Sequence, residues 1–79
     1  MSVQTKVIEV VAKITKQSVD NLSADSGLNV TDKWDSLNHT NIVLELEEVF
    51  DIGFDFDELE TIITVNAIVK SLESKGVTA

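Results

Sequence analysis

The chain has 79 residues, 43% of them hydrophobic, and a formal net charge of −8. This length makes one small domain, which buries about 60% of the surface of its unfolded chain, and the hydrophobic content is typical of a folded domain. The excess of acidic residues argues against nucleic acid and an anionic membrane as ligands, and it favours a positively charged protein partner. With no cysteine and one histidine, we expect no disulfide, no thiolate nucleophile, no Cys-ligated metal and no multi-histidine site.

The beginning of the chain has no signal-peptide core, and no apolar run approaches the length that spans a membrane. We therefore expect a cytoplasmic, monomeric domain. Apolar residues instead recur at helical spacing along much of the chain, which predicts an all-α fold.

The periodicity predicts a small helical bundle of three longer helices and one short helix, with a long first loop. The predicted helices cover residues 3–16, 36–51, 57–62 and 65–75. Thr64 is expected to be the N-cap of the last helix, and Asp57 and Glu60 have the capping-box spacing that begins the short one. Between these two helices, Ile62 and Ile63 are expected to enter the core.

The first loop, residues 17–34, is rich in turn-forming residues and is long for a compact domain. Such a loop needs anchoring, so we expect apolar side chains within it to reach the core, with a short helical turn near its start. The candidate anchors are Val19, Leu22, Leu28 and Val30.

The second helix has apolar residues on two opposite faces. At about 100° per residue, five of them fall in one arc that we expect to face the core. These five are Ile42, Val43, Leu46, Val49 and Phe50. Leu37 and Leu44 lie roughly opposite, among polar and acidic side chains. Leucines ringed by charge are typical of a docking surface, although single exposed leucines are also common on monomers.

Acidic residues are concentrated around this helix, since residues 35–60 hold nine of the fourteen acidic residues and none of the six lysines. A merely solvated surface more often mixes both signs, so this separation favours docking of a basic partner. The candidate partner-binding residues are Asp35, Leu37, Leu44, Glu47, Glu48 and Asp51.

Ser36 begins the second helix, and three roles are open to it. The first is a helix cap, which a serine beside an aspartate frequently provides. The second is nucleophilic catalysis, which is disfavoured because His39 falls on or near the core face and no Gly-x-Ser-x-Gly motif is present. The third is to carry an attached anion such as a phosphodiester, which the dipole and the N–H groups of a helix N-terminus stabilise.

Asp35-Ser36-Leu37, at the start of an acidic helix after a long loop, resembles the acyl carrier protein family. The resemblance extends over residues 1–79 as a single carrier domain, including the acidic residues 47–51 and the start of the last helix. It implies that a phosphopantetheinyl transferase esterifies Ser36 with 4′-phosphopantetheine, whose thiol holds acyl intermediates as thioesters. It also implies a carrier with no catalytic residues, recognised by acyl-loading and acyl-processing enzymes with basic docking surfaces. The lack of cysteine fits, because the thiol comes with the cofactor.

The residues around the motif differ from those of fatty-acid-synthesis carriers. Trp34 stands where those carriers more often have a small residue, and residues 38–41 are more polar. The sequence looks more like stand-alone carriers of specialised pathways, such as polyketide-like or sugar-acylating ones, with a fatty-acid-like pathway still open. We interpret His39 as a packing residue, and a role beside the cofactor arm is the alternative.

Two other classes of protein stay open. An acidic helical adaptor for protein interactions, without a cofactor, explains the acidic surface but not Ser36. A calcium-binding loop of EF-hand type is disfavoured, because Phe56 and Ile62 stand where the loop needs a glycine and a bidentate glutamate.

A last expectation concerns the cargo. The bundle is expected to shelter an apolar chain between its second and third helices, and an ordinary filled core is the alternative. The expected lining residues are Leu46, Phe50, Phe54, Leu59 and Ile62.

Overall fold

The computed structural model describes residues 2–77, so Met1 and residues 78–79 of the predicted domain lie outside the described range. It contains three α-helices and two short 3-10 helices. These are α1 (Val3–Thr15), a first 3-10 helix (Val19–Asn21), α2 (Ser36–Phe50), a second 3-10 helix (Phe56–Glu60) and α3 (Val65–Ser74). The predicted all-α class with three longer helices is confirmed, and the short helix is of 3-10 type. In residues 2–77, no helix combines the length and the apolar character that crossing a lipid bilayer requires.

The helices begin where side chains cap them. Ser2 Oγ accepts a hydrogen bond from the Thr5 N–H at 3.1 Å at the start of α1. Thr64 Oγ1 accepts one from the Ala67 N–H at 3.1 Å at the start of α3, as predicted. Each cap satisfies a backbone donor that has no partner within its helix.

The core lies where α1 packs against both α2 and α3. All three helices contribute side chains that are shielded from solvent, and so does the segment before α3. The fully buried apolar residues are Val7, Val11, Trp34, Ile42, Leu46, Ile62, Val65, Ile68 and Leu72. Burying one aliphatic side chain of this size is worth about 1.5–3 kcal/mol, so this cluster supplies much of the folding free energy.

Backbone contacts anchor the long loop to the residues that precede α3. The Leu28 N–H donates to the Ile63 carbonyl at 2.8 Å, and Gly27 and Thr64 form an isolated β-bridge. A Cβ atom added at Gly27 would lie 2.6 Å from the Ile63 carbonyl oxygen. Glycine is therefore required at position 27 because two backbone segments approach each other closely there.

The side-chain anchors of the loop differ in part from the predicted set. Leu22 is buried and Leu28 is partly buried, but the prediction for Val19 and Val30 is wrong, since both are exposed. Backbone hydrogen bonds hold the turns that contain Val19 and Val30, so these turns do not need the two valine side chains as anchors. The loop is anchored instead by Trp34, whose side chain is only 1% exposed.

Two other predicted core residues are exposed. Val49 lies at the edge of the apolar arc of α2, and its side chain reaches solvent. Ile63 is also exposed, although the preceding residue, Ile62, is buried. Ile62 and Ile63 are consecutive in a non-helical segment, where successive side chains point to opposite sides. Only Ile62 can therefore face the core.

The predicted capping box of the short helix is wrong by two residues. Asp55 rather than Asp57 is the N-cap, and its N–H donates to Glu58 Oε2 at 2.9 Å. Glu58 also accepts a hydrogen bond from Lys75 Nζ at 2.9 Å. Asp55 and Glu58 have the same spacing as Asp57 and Glu60, so spacing alone does not choose between the two pairs, and only Glu58 of the two glutamates has the contact with Lys75.

Candidate functional site

Ser36 is the first residue of α2, and Asp35 takes the capping role that the sequence left open between them. Asp35 Oδ1 accepts a hydrogen bond from the Asn38 N–H at 2.9 Å. The Ser36 side chain is exposed, and its hydroxyl makes no hydrogen bond within residues 2–77. The hydroxyl therefore has no structural task there and stands at the positive end of a fifteen-residue helix.

The turn that precedes Ser36 is held in place from several sides. The Asn29 N–H donates to the Trp34 carbonyl at 2.8 Å, and Asn38 Nδ2 donates to the Lys33 carbonyl at 2.7 Å. The indole of Trp34 is buried directly before the exposed Asp35 and Ser36. The polypeptide thus presents Ser36 on an ordered support.

The predicted partner-binding residues fall into two groups. Leu37 and Leu44 are 72% and 58% exposed, and Glu48 and Asp51 are also exposed on the same side of α2. Glu47 is partly buried, and its Oε2 accepts a hydrogen bond from the Phe54 N–H at 2.9 Å. Asp35, described above, is the helix cap. Two of the six predicted residues therefore also hold the local structure.

Two lysines reach into the acidic region from outside it. Lys13 Nζ lies 2.8 Å from Glu45 Oε2, and the hydrogen bond that Lys13 donates to this carboxylate raises the pKa of Lys13. Lys75 Nζ lies 2.9 Å from Glu58 Oε1, and its hydrogen bond lowers the pKa of Glu58. These pairs neutralise two acids at the edges of the region, and the acids that remain exposed include Glu48 and Asp51.

A partly open cavity of about 230 Å³ lies along α2, on the side between its core face and its exposed leucines. It is lined by His39, Thr40, Val43, Leu44, Glu47, Phe54 and Leu59. Phe54 and Leu59 were predicted to line such a space. Leu46 and Ile62 were predicted as well but are fully packed core residues, and Phe50 packs against the core. The cavity lies beside the core rather than in it, because the core face of α2 is filled by α1.

His39 is buried, being only 8% exposed, in agreement with its interpretation as a packing residue. The Trp34 indole N–H donates to His39 Nδ1 at 3.0 Å, and the two rings stack with their centroids 6.0 Å apart. Burial lowers the pKa of His39, and the backbone carbonyl of Leu59 opposes this by a smaller amount. The ring is therefore held neutral at neutral pH.

The Trp34–His39 pair and the lining residues Thr40 and Val43 were not recognised from the sequence as parts of one site. The available signal was the unusual Trp directly before Asp-Ser-Leu, combined with a histidine five residues later. In residues 2–77, no three His, Cys, Asp or Glu side chains gather in a way that could hold a metal ion.

Comparison with known proteins agrees with this geometry. The family described as "Phosphopantetheine attachment site" matches residues 5–72. A protein named "Acyl carrier protein", from Desulforapulum autotrophicum, is 32% identical over 77 residues, which covers 96% of this chain and 100% of that protein. The chain belongs to the acyl carrier protein family. Its members are carriers with a 4′-phosphopantetheine prosthetic group, and they interact with synthesis enzymes and with phosphopantetheinyl transferase.

The residues at the start of α2 fit this prosthetic group. It attaches through a phosphodiester, which needs an accessible hydroxyl and tolerates no competing structural role for that hydroxyl. Ser36 is exposed and Asp35 does the capping. The negative charge of the diester would lie near the N–H groups of the first turn of α2, where anions are stabilised.

Proposed function

We propose that Ser36 Oγ is the attachment site of 4′-phosphopantetheine and that the chain is a carrier without catalysis of its own. The observation that carries the proposal is the division of work between two neighbours: Asp35 caps α2, and the Ser36 hydroxyl is left exposed and unbonded within residues 2–77. When attached, the group supplies a thiol that holds an acyl chain as a thioester. The protein supplies the position, the partner surface and the shelter.

The first turn of α2 has a defined electrostatic part in this function. The N-terminal dipole of a helix stabilises a nearby anion by about 0.3–1 kcal/mol at an exposed site. Ser36 is the first helical residue, so a diester on its Oγ would lie within the range of this effect. The buried Trp34 keeps the preceding turn from moving away from the helix end.

We further propose that the exposed side of α2 is the docking face for the transferase and for the enzymes that load and process the cargo. Leu37 and Leu44 are its apolar anchors. Its acidic residues are Asp35, Glu47, Glu48 and Asp51, which would meet Lys or Arg on the partner. Buried anchors mainly set the lifetime of a complex, whereas charges at the rim mainly set its association rate. The cytoplasmic location and the monomeric state stay predictions.

The cavity beside α2 supports a third part of the proposal, that an acyl chain can leave solvent for the flank of the bundle. At about 230 Å³ it is larger than the roughly 150 Å³ apolar cavity that is known to take up benzene in another protein. The Val43, Phe54 and Leu59 side chains offer it apolar walls. Pathway chemistry, whether polyketide-like, sugar-acylating or fatty-acid-like, would then act on a chain that leaves this cavity.

The test is the intact mass of the protein after incubation with a phosphopantetheinyl transferase and coenzyme A. The wild-type chain should gain one phosphopantetheine unit and Ser36→Ala none, with its fold unchanged. Ser18→Ala is the matched control, because Ser18 is also exposed but caps the first 3-10 helix through the Asp20 N–H. A Ser36→Ala protein that still gains the group would refute the site. A wild-type chain that gains nothing would favour the adaptor without a cofactor.

A further inference from the structure

Two apolar side chains near Ser36 lie largely in solvent. Leu37 follows Ser36 in α2 and is 72% exposed, and Val30 belongs to the long loop and is 80% exposed. The docking face proposed above includes Leu37 but no residue of the loop. Val30 is more exposed than either leucine of that face, and its side chain does not anchor the loop.

The backbone sets the position of Val30 relative to Ser36. The Asn29 N–H donates to the Trp34 carbonyl at 2.8 Å, which closes the turn of residues 29–34 just before α2. Standard backbone dimensions then place the Cα atom of Val30 at most about 15 Å from the Cα atom of Ser36. Val30 therefore belongs to the immediate surroundings of the serine.

The hydrogen bonds of this turn do not require a valine at position 30. The Val30 N–H donates to the Gly27 carbonyl at 3.2 Å, a bond that any residue except proline can make. Turns favour glycine, asparagine, aspartate and serine over an apolar residue. Asn29 and Lys33 have φ angles of 63° and 64°, which residues other than glycine rarely adopt. The turn thus keeps an unusual backbone conformation that leaves an apolar side chain in solvent, and such conformations concentrate at functional sites.

An enzyme that modifies Ser36 must cover this part of the surface. A specific interface buries about 800 Å² on each partner, which corresponds to a disc roughly 32 Å across. Centred on Ser36, such a disc reaches roughly 16 Å in each direction, which includes Val30 even at the limit that the backbone allows. A valine buried in this contact loses its exposure to water, which favours binding.

We propose that Val30 is an apolar anchor for the phosphopantetheinyl transferase, which contacts the chain both on α2 and on the turn of residues 29–34. This inference rests on the proposed function, because it concerns the enzyme that modifies Ser36. The occupant is an enzyme surface with an apolar pocket opposite Val30. The exposed neighbours Asp32 and Lys33 have opposite charges, so the contact at the turn depends on apolar burial and not on net charge.

The experiment measures the steady-state kinetics of modification by a phosphopantetheinyl transferase with coenzyme A, at varied concentrations of the carrier. In Val30→Ala the KM for the carrier should rise about four- to fifteenfold, the range expected when one or both lost methyl groups contribute to binding. The kcat should stay within about twofold of the wild-type value, because the anchor contributes to binding and not to the chemical step. The rise should be equal at low and high salt, since no charge is altered.

Two further variants separate the apolar contact from other effects. Val30→Thr keeps the shape of the side chain but replaces a methyl group by a hydroxyl, so it should behave like Val30→Ala. Val49→Ala is the matched control, because Val49 is also exposed but lies about 20 Å from Ser36 along α2. Its angular position also places it away from Leu37 and Leu44, so its kinetics should equal those of the wild type. Circular dichroism should show the same fold for all three variants.

Several results would overturn the inference. The first is a KM for Val30→Ala within about twofold of the wild-type value. Equal losses in Val30→Ala and Val49→Ala, or a wild-type KM in Val30→Thr, would also overturn it. A loss in kcat alone would mean that the turn positions Ser36 and does not bind the enzyme. A wild-type chain that gains no group refutes the proposed function itself, and the inference falls with it.

Discussion

Helices α3 and α2 differ in how much of their apolar surface is buried. The stripe of α3 is buried completely at Val65, Ile68 and Leu72. Helix α2 buries one face against α1 but leaves Leu37 and Leu44 in solvent. The contrast continues after α2, where the second 3-10 helix has no buried residue and Phe56 is 84% exposed.

This difference separates stability from recognition within one small chain. The side formed by α1 and α3 contains packed side chains whose loss leaves cavities. The side formed by the outer face of α2 and the second 3-10 helix carries Ser36, the exposed leucines and the partly open cavity. Substitutions on the packed side should therefore lower the free energy of unfolding, whereas substitutions on the exposed side of α2 should slow modification by the transferase. Four predictions follow from this difference.

The largest expected effect comes from two leucines two residues apart on α2. Leu46→Ala removes a fully buried side chain and should lower the free energy of unfolding by about 2–5 kcal/mol. Leu44→Ala removes an exposed one and should change it by about 0.5 kcal/mol or less. Urea denaturation followed by circular dichroism measures both. Similar losses in the two variants would contradict the separation.

The glycines give the next comparison. Gly27→Ala places a Cβ 2.6 Å from the Ile63 carbonyl oxygen, so the loop must move away from the start of α3, at a cost of about 1–3 kcal/mol. Gly53→Ala meets nothing closer than Glu47 Oε2 at 4.0 Å and should be neutral or stabilising by up to about 1 kcal/mol. The same denaturation assay applies. A tolerated Gly27→Ala would show that the bridge does not restrain the loop.

Charge reversal on the docking face should change the rate of modification and leave stability alone. Glu48→Lys should slow transferase modification about three- to tenfold at low salt, and high salt should remove most of the deficit because it screens the charges. Leu44→Ala should slow modification at either salt concentration, since an apolar anchor is not screened. Glu9→Lys, on the exposed side of α1, is the matched control. If Glu9→Lys slows modification and the two α2 variants do not, the docking face has been assigned to the wrong side.

The smallest effect is a pH dependence that arises from His39. Burial holds the pKa of the folded ring below the ordinary value of 6.5, so the unfolded chain binds the proton first as the pH falls. The contribution of the neutral ring to stability is therefore complete above about pH 6.5 and is lost progressively below it. The free energy of unfolding, measured between about pH 5.5 and 7.5, should show this decline in the wild-type protein. The decline should be absent in His39→Gln. A flat wild-type profile would mean that the ring is not held neutral.

The sequence was most informative where one local rule decides the outcome. The angular positions of Leu37 and Leu44 on α2 place them opposite Leu46, and they are exposed. The side-chain oxygen of Thr64 caps α3 as predicted. Val49, at the edge of the arc, was assigned to the core although it reaches solvent, because helical angle alone does not say how far the neighbouring helix extends.

Features that depend on two distant segments could not be predicted. The need for glycine at position 27 comes from the backbone of Ile63, which is far away in sequence. Glu58, which belongs to the capping box of the second 3-10 helix, also binds Lys75 from the end of α3. The pairing of Trp34 with His39 needs the loop to fold back onto α2. Such tertiary contacts leave no periodic signal in the sequence.

The central claim, that Ser36 carries the arm, is tested most directly by locating the added mass within the chain. Cleavage after lysine gives a peptide of residues 34–70, in which Ser36 is the only serine. After incubation with transferase and coenzyme A, tandem mass spectrometry should find one phosphopantetheine unit on this peptide, at Ser36, and none elsewhere. The peptide of residues 17–33 contains Ser18, Ser23 and Ser26. Finding the phosphopantetheine unit on that peptide would contradict the assignment of the site.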